Sequence, residues 1–339
     1  MASSEAFVEV AGRSVRISSP DKVCYPAVGI TKLDLATYYA AVADGVFRAL
    51  AGRPVALNRY PDGLDGSSFY MKHAPKGLPD WVQTARVTFP SGRTGNEVCI
   101  TEAATVVWAV QMGTLELHPW PVRRSDTEHP DELRVDLDPQ PGTDFTQAVE
   151  AAREAKAVFD QLGMVPFVKT TGGRGLHLLV RLEPRWSFIE ARRAVIAFAR
   201  ELERRRPDLV TTSWWKEERG ERVFVDFNQM ARDRMLAAAY STRARPHAPV
   251  SMPVRWDELP DVVPDDFTPR TVPALLAERG DAHEDIDKTA FTLDALLEMA
   301  ERDERDHGLG DLPYPPDFPK MPGEPKRVQP SKAKRDPAG

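Results

Sequence analysis

Cysteine is scarce in this chain of 339 residues, and long apolar runs are missing. Cys24 and Cys99 are its two cysteines, and their wide separation excludes a disulfide framework or a cysteine-rich metal site. No run approaches the roughly 18 consecutive apolar residues of a membrane span. The opening MASSEAFVEV lacks the basic segment and apolar stretch of a secretory signal. We therefore expect a cytosolic protein without a membrane partner.

Positive charge is also in deficit, since 45 lysines and arginines face 51 acidic residues and give a formal net charge of −6. The deficit is uneven, because the tail from Pro319 onward sums to +4 and leaves −10 on the rest of the chain. An acidic body can still bind a polyanion if its basic residues converge on one groove and metal ions offset its carboxylates. Net charge alone therefore does not exclude a nucleic-acid partner.

Helical and strand patterns alternate along the chain, which predicts an α+β or mixed α/β fold. Helical spacing covers residues 32–52 and the segments DFTQAVEAAREAKAVFDQLG, SFIEARRAVIAFARELERRR and FTLDALLEMAERDERDHG. Strand patterns include LRVDLDP, ERVFVDFNQ and two strands around a glycine turn in VPFVKTTGGRGLHLLVRL. We expect one domain over residues 1–312, with two subregions around a cleft. A proline-rich, basic tail over residues 313–339 is expected to be extended or disordered.

Two aspartates stand one residue apart in DELRVDLDPQPG, at the end of a predicted strand. Because side chains alternate along a strand, Asp136 and Asp138 share one face while Val135 and Leu137 point to the core. Adjacent carboxylates repel each other unless a proton or a cation lies between them. Hard divalent cations such as magnesium and manganese prefer such oxygen ligands. A solvated strand end would also account for the pair.

A third carboxylate, Asp226, is embedded in the apolar strand RVFVDFNQ. Burying it without a partner would be costly, so a salt bridge or a cap is one explanation. A third metal ligand is the other. Three aspartates on adjacent strands can hold two cations, the arrangement used for in-line displacement at phosphorus.

The segment KTTGGRGLHLLV lies between these aspartates. Its glycines permit a tight turn whose amides can face an anion, and Lys169, Thr170, Thr171 and Arg174 surround it with donors. The spacing is not that of a Walker loop. A hairpin with incidental polar residues is the alternative. His177 follows on the strand and is well placed to donate to a phosphate oxygen.

The segments VDLDP, KTTGGRGLH and FVDF resemble the three motifs of the archaeo-eukaryotic primase superfamily. They are most similar to the polymerase domain of bacterial ligase D, which works in non-homologous end joining. The similarity spans roughly residues 10–300, and SPDKVCYPAVGITKLDLATYY, GRPVALNRYPDG, FYMKHAP, LELHPW and YSTRARPHAPVSMPVRWDEL follow in the expected order. The resemblance implies a primase-type catalytic core, in which central, mostly antiparallel sheets are flanked by helices. Without a ligase or phosphoesterase pattern, the chain resembles a stand-alone relative.

The resemblance also implies roles for the motif residues. Asp136, Asp138 and Asp226 would be catalytic and hold two divalent cations, manganese or magnesium. The nucleotide triphosphate would contact Thr171, Arg174, His177, Arg243 and Arg245. The family usually has serine at position 171 and lysine at position 174, and arginine is not a neutral replacement for lysine.

Further implied contacts concern the base, the ribose and the DNA. Phe69 and Tyr70 would stack beneath the incoming base, and His118 would lie near the ribose, where the family favours ribonucleotides. Lys22 and Lys32 match positions that bind a 5′-phosphate, with Ser19 in place of the usual asparagine; exposed surface lysines are the alternative. A nucleic-acid contact is assigned to Arg219.

The implied function is a DNA-dependent nucleotidyltransferase that adds ribo- or deoxyribonucleotides to a primer 3′-hydroxyl at gaps, nicks or double-strand breaks. We expect a monomer in the bacterial cytosol or nucleoid, with a DNA-end-binding protein and a separate ligase as possible partners. Two alternatives stay open. One is a primase that starts strands on a bare single-stranded template, and the other is a DNA-end-binding module whose aspartates are a relic.

Overall fold

The computed structural model describes residues 5–314, so the predicted tail from residue 315 onward lies outside the described residues. In this part of the chain no helix combines the length and apolar character needed to cross a bilayer. The helices are α1 (Lys32–Ala41), α2 (Ala43–Leu50), α3 (Ala104–Gln111), α4 (Phe145–Gln161), α5 (Phe188–Arg205), α6 (Val272–Arg279) and α7 (Asp294–His307). The strands are β1 (Glu5–Val10), β2 (Arg13–Ser18), β3 (Val23–Tyr25), β4 (Ile30–Thr31), β5 (Pro54–Arg59), β6 (Phe69–Met71), β7 (Gln83–Thr88), β8 (Thr94–Cys99), β9 (Thr114–Pro119), β10 (Glu132–Pro139), β11 (Phe167–Thr170), β12 (Leu176–Arg181), β13 (Val210–Thr211), β14 (Val223–Val225) and β15 (Pro253–Val254).

Two sheets organise these elements. The first has the strand order β13-β14-β10-β12-β11-β15, and the second has the order β6-β5-β8-β7 with β9 also paired to β5. The β13–β14 pair is parallel, whereas the other strand pairs of both sheets are antiparallel. Hairpins β1–β2 and β3–β4 complete the described strands. The predicted α+β class with mostly antiparallel sheets is confirmed.

Strand β10 lies inside the first sheet, between β12 and β14. Its alternate side chains Leu133, Val135 and Leu137 are completely buried, on the face that packs against α4 and α5. Both helices begin at capping boxes, in which Asp144 of α4 and Ser187 of α5 accept from backbone amides of the first turn. The opposite face of β10 is thereby left for polar side chains, including the two aspartates of the motif.

A buried charge network joins the two sheets. Arg53, which is fully buried just before β5, lies 2.5 and 3.0 Å from the two carboxylate oxygens of Asp131. Glu132 of β10 accepts from Arg134 at 2.8 Å and from Arg181 of β12 at 2.9 Å. Because buried charges are tolerated when they are paired and hydrogen-bonded, the network fixes how the sheets meet.

Two sequence expectations need correction. The helix predicted over residues 32–52 is broken at Val42 into α1 and α2. Both helices pack around Tyr240, since Tyr38 donates to the Tyr240 carbonyl at 2.7 Å and a Cβ on Gly45 would lie 2.5 Å from the Tyr240 ring. Asp226 is not embedded in a strand, because β14 ends at Val225.

Glu97 of β8 is a buried carboxyl outside the cleft and generates a stability prediction. It accepts from the Trp120 indole at 3.0 Å, and burial raises its pKa from the ordinary 4.5 to about 8. The folded state therefore retains a proton that the unfolded chain loses above pH 4.5. This stabilisation is complete below pH 4.5 and is lost as the pH rises to about 8.

We therefore expect Glu97→Gln, which mimics the neutral acid, to gain stability relative to the wild-type protein between pH 4.5 and 8. The gain should approach about 1.4 kcal/mol per pH unit. Urea unfolding of both proteins from pH 4 to 9 measures it. A difference in the free energy of unfolding that stays constant with pH would contradict the assignment.

Candidate active site

The three predicted aspartates lie near one another in the first sheet, two on β10 and one just after its neighbour β14. Asp136 and Asp138 project from the polar face of β10, and the amide of Asp226 donates to the Asp136 carbonyl at 2.9 Å. Asp226 also begins a short turn by accepting from the Asn228 amide at 3.0 Å and from the Gln229 side chain at 2.9 Å. Strand pairing and this turn together place all three carboxylates along one cleft.

Electrostatics at the three aspartates favour an added positive charge. Burial raises the pKa of Asp136 to about 6, against the opposing effect of Lys169 and Arg243. Burial and the charge of Asp136 raise the pKa of Asp226 to about 6. Loss of solvent, followed by the charge of Asp136, also raises the pKa of Asp138. A cation among the carboxylates would remove this repulsion.

The donor set fits a hard divalent cation, because the three groups offer oxygen ligands. Within residues 5–314, however, no three histidine, cysteine, aspartate or glutamate side chains are already gathered into a metal site. The carboxylates therefore line the cleft without converging on one centre, and their role as metal ligands stays a prediction.

The glycine turn joins β11 to β12 and closes against β10. Gly172 has a φ of +70°, and a Cβ there would lie 2.4 Å from the Arg243 side chain. A Cβ on Gly175 would lie 2.5 Å from the Leu137 carbonyl oxygen. The hydroxyl of Thr171 accepts from the Gly173 amide at 3.1 Å and so holds the turn from inside. Glycine is required at position 172 because its φ is positive. It is required at position 175 because a Cβ would collide with the backbone of β10.

All five residues predicted to bind the triphosphate line the same cleft, which has a cavity volume of about 400 Å³. That volume lies within the usual range for small-molecule sites. Arginine side chains line it together with the aspartates, and their guanidinium groups suit phosphate oxygens. The predicted residues that line the cleft are His118, Asp136, Asp138, Thr171, Arg174, His177, Asp226, Arg243 and Arg245.

Glu116 organises two of these residues, and sequence reasoning missed it. Its Oε1 accepts from Arg243 Nε at 2.9 Å and from the Ala244 amide at 3.0 Å. Its Oε2 accepts from Asn58 at 2.6 Å and lies 3.3 Å from His118 Nε2. Although burial opposes ionisation, the hydrogen bond from His118 and the charge of Arg243 hold the Glu116 pKa well below its usual range. The two-residue spacing in LELHPW was an available signal, since it places Glu116 and His118 on one face of β9.

The residues predicted to contact the base lie beside this group. Phe69 and Tyr70 are 46% and 51% exposed, which leaves their rings available for stacking. The Tyr70 ring meets the His118 ring edge-on at 5.3 Å. The Arg59 guanidinium lies 5.1 Å from the Phe69 ring centre and supports it.

Lys22 and Lys32 are neighbours, since the Lys32 amide donates to the Lys22 carbonyl at 2.8 Å. Their side chains differ in access. Lys32 is 8% exposed and donates to the Ser18 carbonyl at 3.0 Å, whereas Lys22 is partly exposed. Ser19 has a φ of +50°, a left-handed conformation that suits the family's usual asparagine better. The predicted 5′-phosphate contact stays a prediction.

Arg219 is buried, and its described contacts are with the protein itself. It donates to the Trp214 carbonyl at 3.0 Å and to Gln140 Oε1 at 3.3 Å. Gln140 in turn donates to Asp138 Oδ2 at 3.1 Å. The structure thus connects Arg219 to the aspartate cleft through Gln140, a link that the sequence did not indicate, and its nucleic-acid contact remains untested.

A protein-family model described as the primase-polymerase domain of LigD matches residues 31–283. The multifunctional non-homologous end joining protein LigD of Pseudomonas aeruginosa is 38% identical over 246 residues, which are 72% of this chain and 29% of that protein. The protein of the same name from Mycolicibacterium smegmatis is 34% identical over 312 residues, which are 90% of this chain and 40% of that protein. This chain therefore spans less than half the length of either relative.

A solved structure is also similar: the polymerase domain from Mycobacterium tuberculosis ligase D in complex with DNA. Sequence identity is 34% and the TM-score is 0.76, over 82% of this chain and 99% of the other. The likeness extends over nearly the whole of that domain.

The Glu116 contacts generate a prediction about nucleotide binding. We expect Glu116→Gln to weaken binding of a nucleoside triphosphate about tenfold, because an amide cannot accept all the donors that the carboxylate holds. Calorimetric titration with a non-hydrolysable triphosphate measures the change. Glu97→Gln at pH 6 is a matched control, because Glu97 is also buried but, unlike Glu116, is protonated at that pH. Equal affinities of Glu116→Gln and the control would contradict the role of Glu116.

Proposed function

The chain belongs to the LigD primase-polymerase domain family, a family of nucleotidyltransferase polymerases, and on this basis we propose that it extends DNA primers at gaps and broken ends during non-homologous end joining. The resemblance inferred from the sequence motifs is thereby confirmed. The observation that carries the proposal is that one cleft is lined both by three aspartates and by Arg174, Arg243 and Arg245. Such a cleft offers oxygen ligands for cations and guanidinium groups for phosphates, as transfer of a nucleotidyl group requires.

Family membership implies nucleoside triphosphate substrates and divalent cations. We assign Asp136, Asp138 and Asp226 as the residues that would hold two such cations, manganese or magnesium. When bound, the cations would supply charge neutralisation at the α-phosphate and a more acidic primer 3′-hydroxyl.

The remaining cleft residues bind and orient the nucleotide. His177 and Thr171 donate to the triphosphate, and the arginines at 174, 243 and 245 offset the charge of the departing pyrophosphate. Cationic groups beside the departing pyrophosphate lower the activation barrier of nucleotidyl transfer. The reaction therefore needs no side-chain general base.

Contacts with the base, the ribose and the DNA 5′-phosphate determine which nucleotide and which DNA end the proposed enzyme selects. Phe69 and Tyr70 stack beneath the base, which tolerates any base identity, and His118 faces the ribose of a preferred ribonucleotide. Lys22 and Lys32 receive the 5′-phosphate of a gap.

We propose that residues 1–312 form one catalytic domain that acts as a monomer in the bacterial cytoplasm. The relatives are named as non-homologous end joining proteins, and an end-binding protein and a ligase activity would complete such a repair.

Primer extension on a one-nucleotide gap with a 5′-phosphate tests this function. We expect incorporation that depends on manganese or magnesium and is faster with ribonucleotides. Asp136→Ala should lower it at least about 100-fold, because a ligand at the reacting phosphate is lost. Asp160→Ala is the matched control, since Asp160 pairs with Lys156 on the exposed side of α4.

Equal incorporation by Asp136→Ala and the control would reject the aspartate site. DNA binding without incorporation by the wild-type protein would favour a non-catalytic end-binding module. Dinucleotide synthesis on a bare single-stranded template would instead favour a primase.

A further inference from the structure

Three side chains form a row across the first sheet, and one of them has no role in the reaction proposed above. Lys169 of β11 lies directly opposite His177 of β12, and His177 lies directly opposite Asp136 of β10. Residues paired in this way share one face of a sheet. Lys169 is 1% exposed and His177 is 3% exposed, so the row runs from the interior to the cleft.

The hydrogen bonds along the row have a direction. Lys169 Nζ lies 2.6 Å from Ser251 Oγ and 2.7 Å from His177 Nδ1. The Ser251 hydroxyl donates its proton to the Thr170 carbonyl at 2.6 Å, so it accepts from the lysine. Burial and the charge of Arg243 lower the pKa of Lys169 well below its ordinary value, while the charges of Asp136 and Glu132 oppose that shift. In its ammonium form the lysine has donors only, and His177 Nδ1 is then the acceptor of the other contact.

A neutral imidazole carries a single N–H, so an accepting Nδ1 leaves the proton on Nε2. His177 Nε2 is the nitrogen on the cleft side, where it lies 3.4 Å from Asp136 Oδ1. This geometry makes His177 a hydrogen-bond donor toward the space where the triphosphate would sit.

We propose that Lys169 is a positioning residue that fixes His177 as the Nε2–H tautomer, so that the ring donates to a phosphate oxygen of the nucleotide. The contact with a phosphate oxygen rests on the proposed function, whereas the assignment of the tautomer does not. Lys169 itself need not touch the substrate, since its ammonium is enclosed by Ser251 and His177.

Two-bond ¹H–¹⁵N correlation spectra of the full chain, labelled at histidine and freed of metal by a chelator, report the tautomer directly. The wild-type protein at pH 7 should show the Nε2–H pattern at His177, identified by the signal missing from His177→Gln. Lys169→Met should change it to Nδ1–H or to a mixture of both. Lys156→Met removes a half-buried lysine of α4 that does not line the cleft, and it should leave the pattern unchanged.

His283 supplies an internal check on folding in the same spectra. Its Nε2 lies 2.9 Å from the Val168 carbonyl, which can only accept, so its tautomer is fixed by backbone. A Lys169→Met spectrum with His283 unchanged and His177 altered supports the proposal. An Nδ1–H tautomer at His177 in the wild-type protein would overturn it, even if Lys169→Met fails to fold. An unchanged His177 in folded Lys169→Met would overturn it as well.

Nucleotide affinity supplies the second readout. Lys169→Met should weaken binding of a non-hydrolysable triphosphate about tenfold, the effect expected for one misdirected hydrogen bond to a charged group. In the background of His177→Ala the same change should add almost no further loss, since Lys169 acts through His177. Additive losses would overturn the positioning role. If the wild-type protein binds no triphosphate, the proposed function fails while the tautomer result stands.

Discussion

Side chains alternate between the two faces of β10, and this alternation fixes both the core beneath the first sheet and the cleft above it. Leu133, Val135 and Leu137 seal one face of the strand against α4 and α5, while Asp136 and Asp138 stand on the other face. Burial raises the pKa of Asp136 to about 6, so keeping that carboxylate ionised at neutral pH opposes folding by on the order of 3 kcal/mol. Burial of an aliphatic side chain contributes roughly 1.5–3 kcal/mol. Burial of the apolar face of β10 can therefore offset the free-energy cost of its ionised aspartates. A shift of the strand register by one residue would exchange the two faces, and both the core packing and the aspartate cleft would be lost.

Acidic and basic side chains line the same cleft from different elements, so an acidic body can still present cations to a polyanionic substrate. The aspartates lie on β10 and just after β14, and the arginines at 174, 243 and 245 lie on the glycine turn and the loop beside it. Arg243 donates to Glu116 Oε1 at 2.9 Å and to the Thr171 carbonyl. Its guanidinium is thus held in place by the protein before any ligand arrives.

Sequence patterns predicted what depends on local periodicity and motif order. The polar face of β10, the glycine turn and the helices α4, α5 and α7 all followed from spacing, and the family followed from motifs in order. The break at Val42 could not be predicted, because it depends on Tyr240, which is almost 200 positions away. The same holds for the Glu116–Arg243 contact and for the bridge from Arg219 through Gln140, which join segments that only folding brings together. Asp226 was misplaced within a strand because apolar neighbours continue on both sides of it, although pairing with β10 stops at Val225.

Anomalous diffraction from crystals that contain manganese and a non-hydrolysable nucleoside triphosphate decides whether Asp136, Asp138 and Asp226 form the cation site of a nucleotidyltransferase. We expect manganese peaks within bonding distance of these three carboxylates, with the triphosphate extending toward Arg243 and the glycine turn. Manganese bound elsewhere, or a triphosphate held outside this cleft, would rule out this assignment.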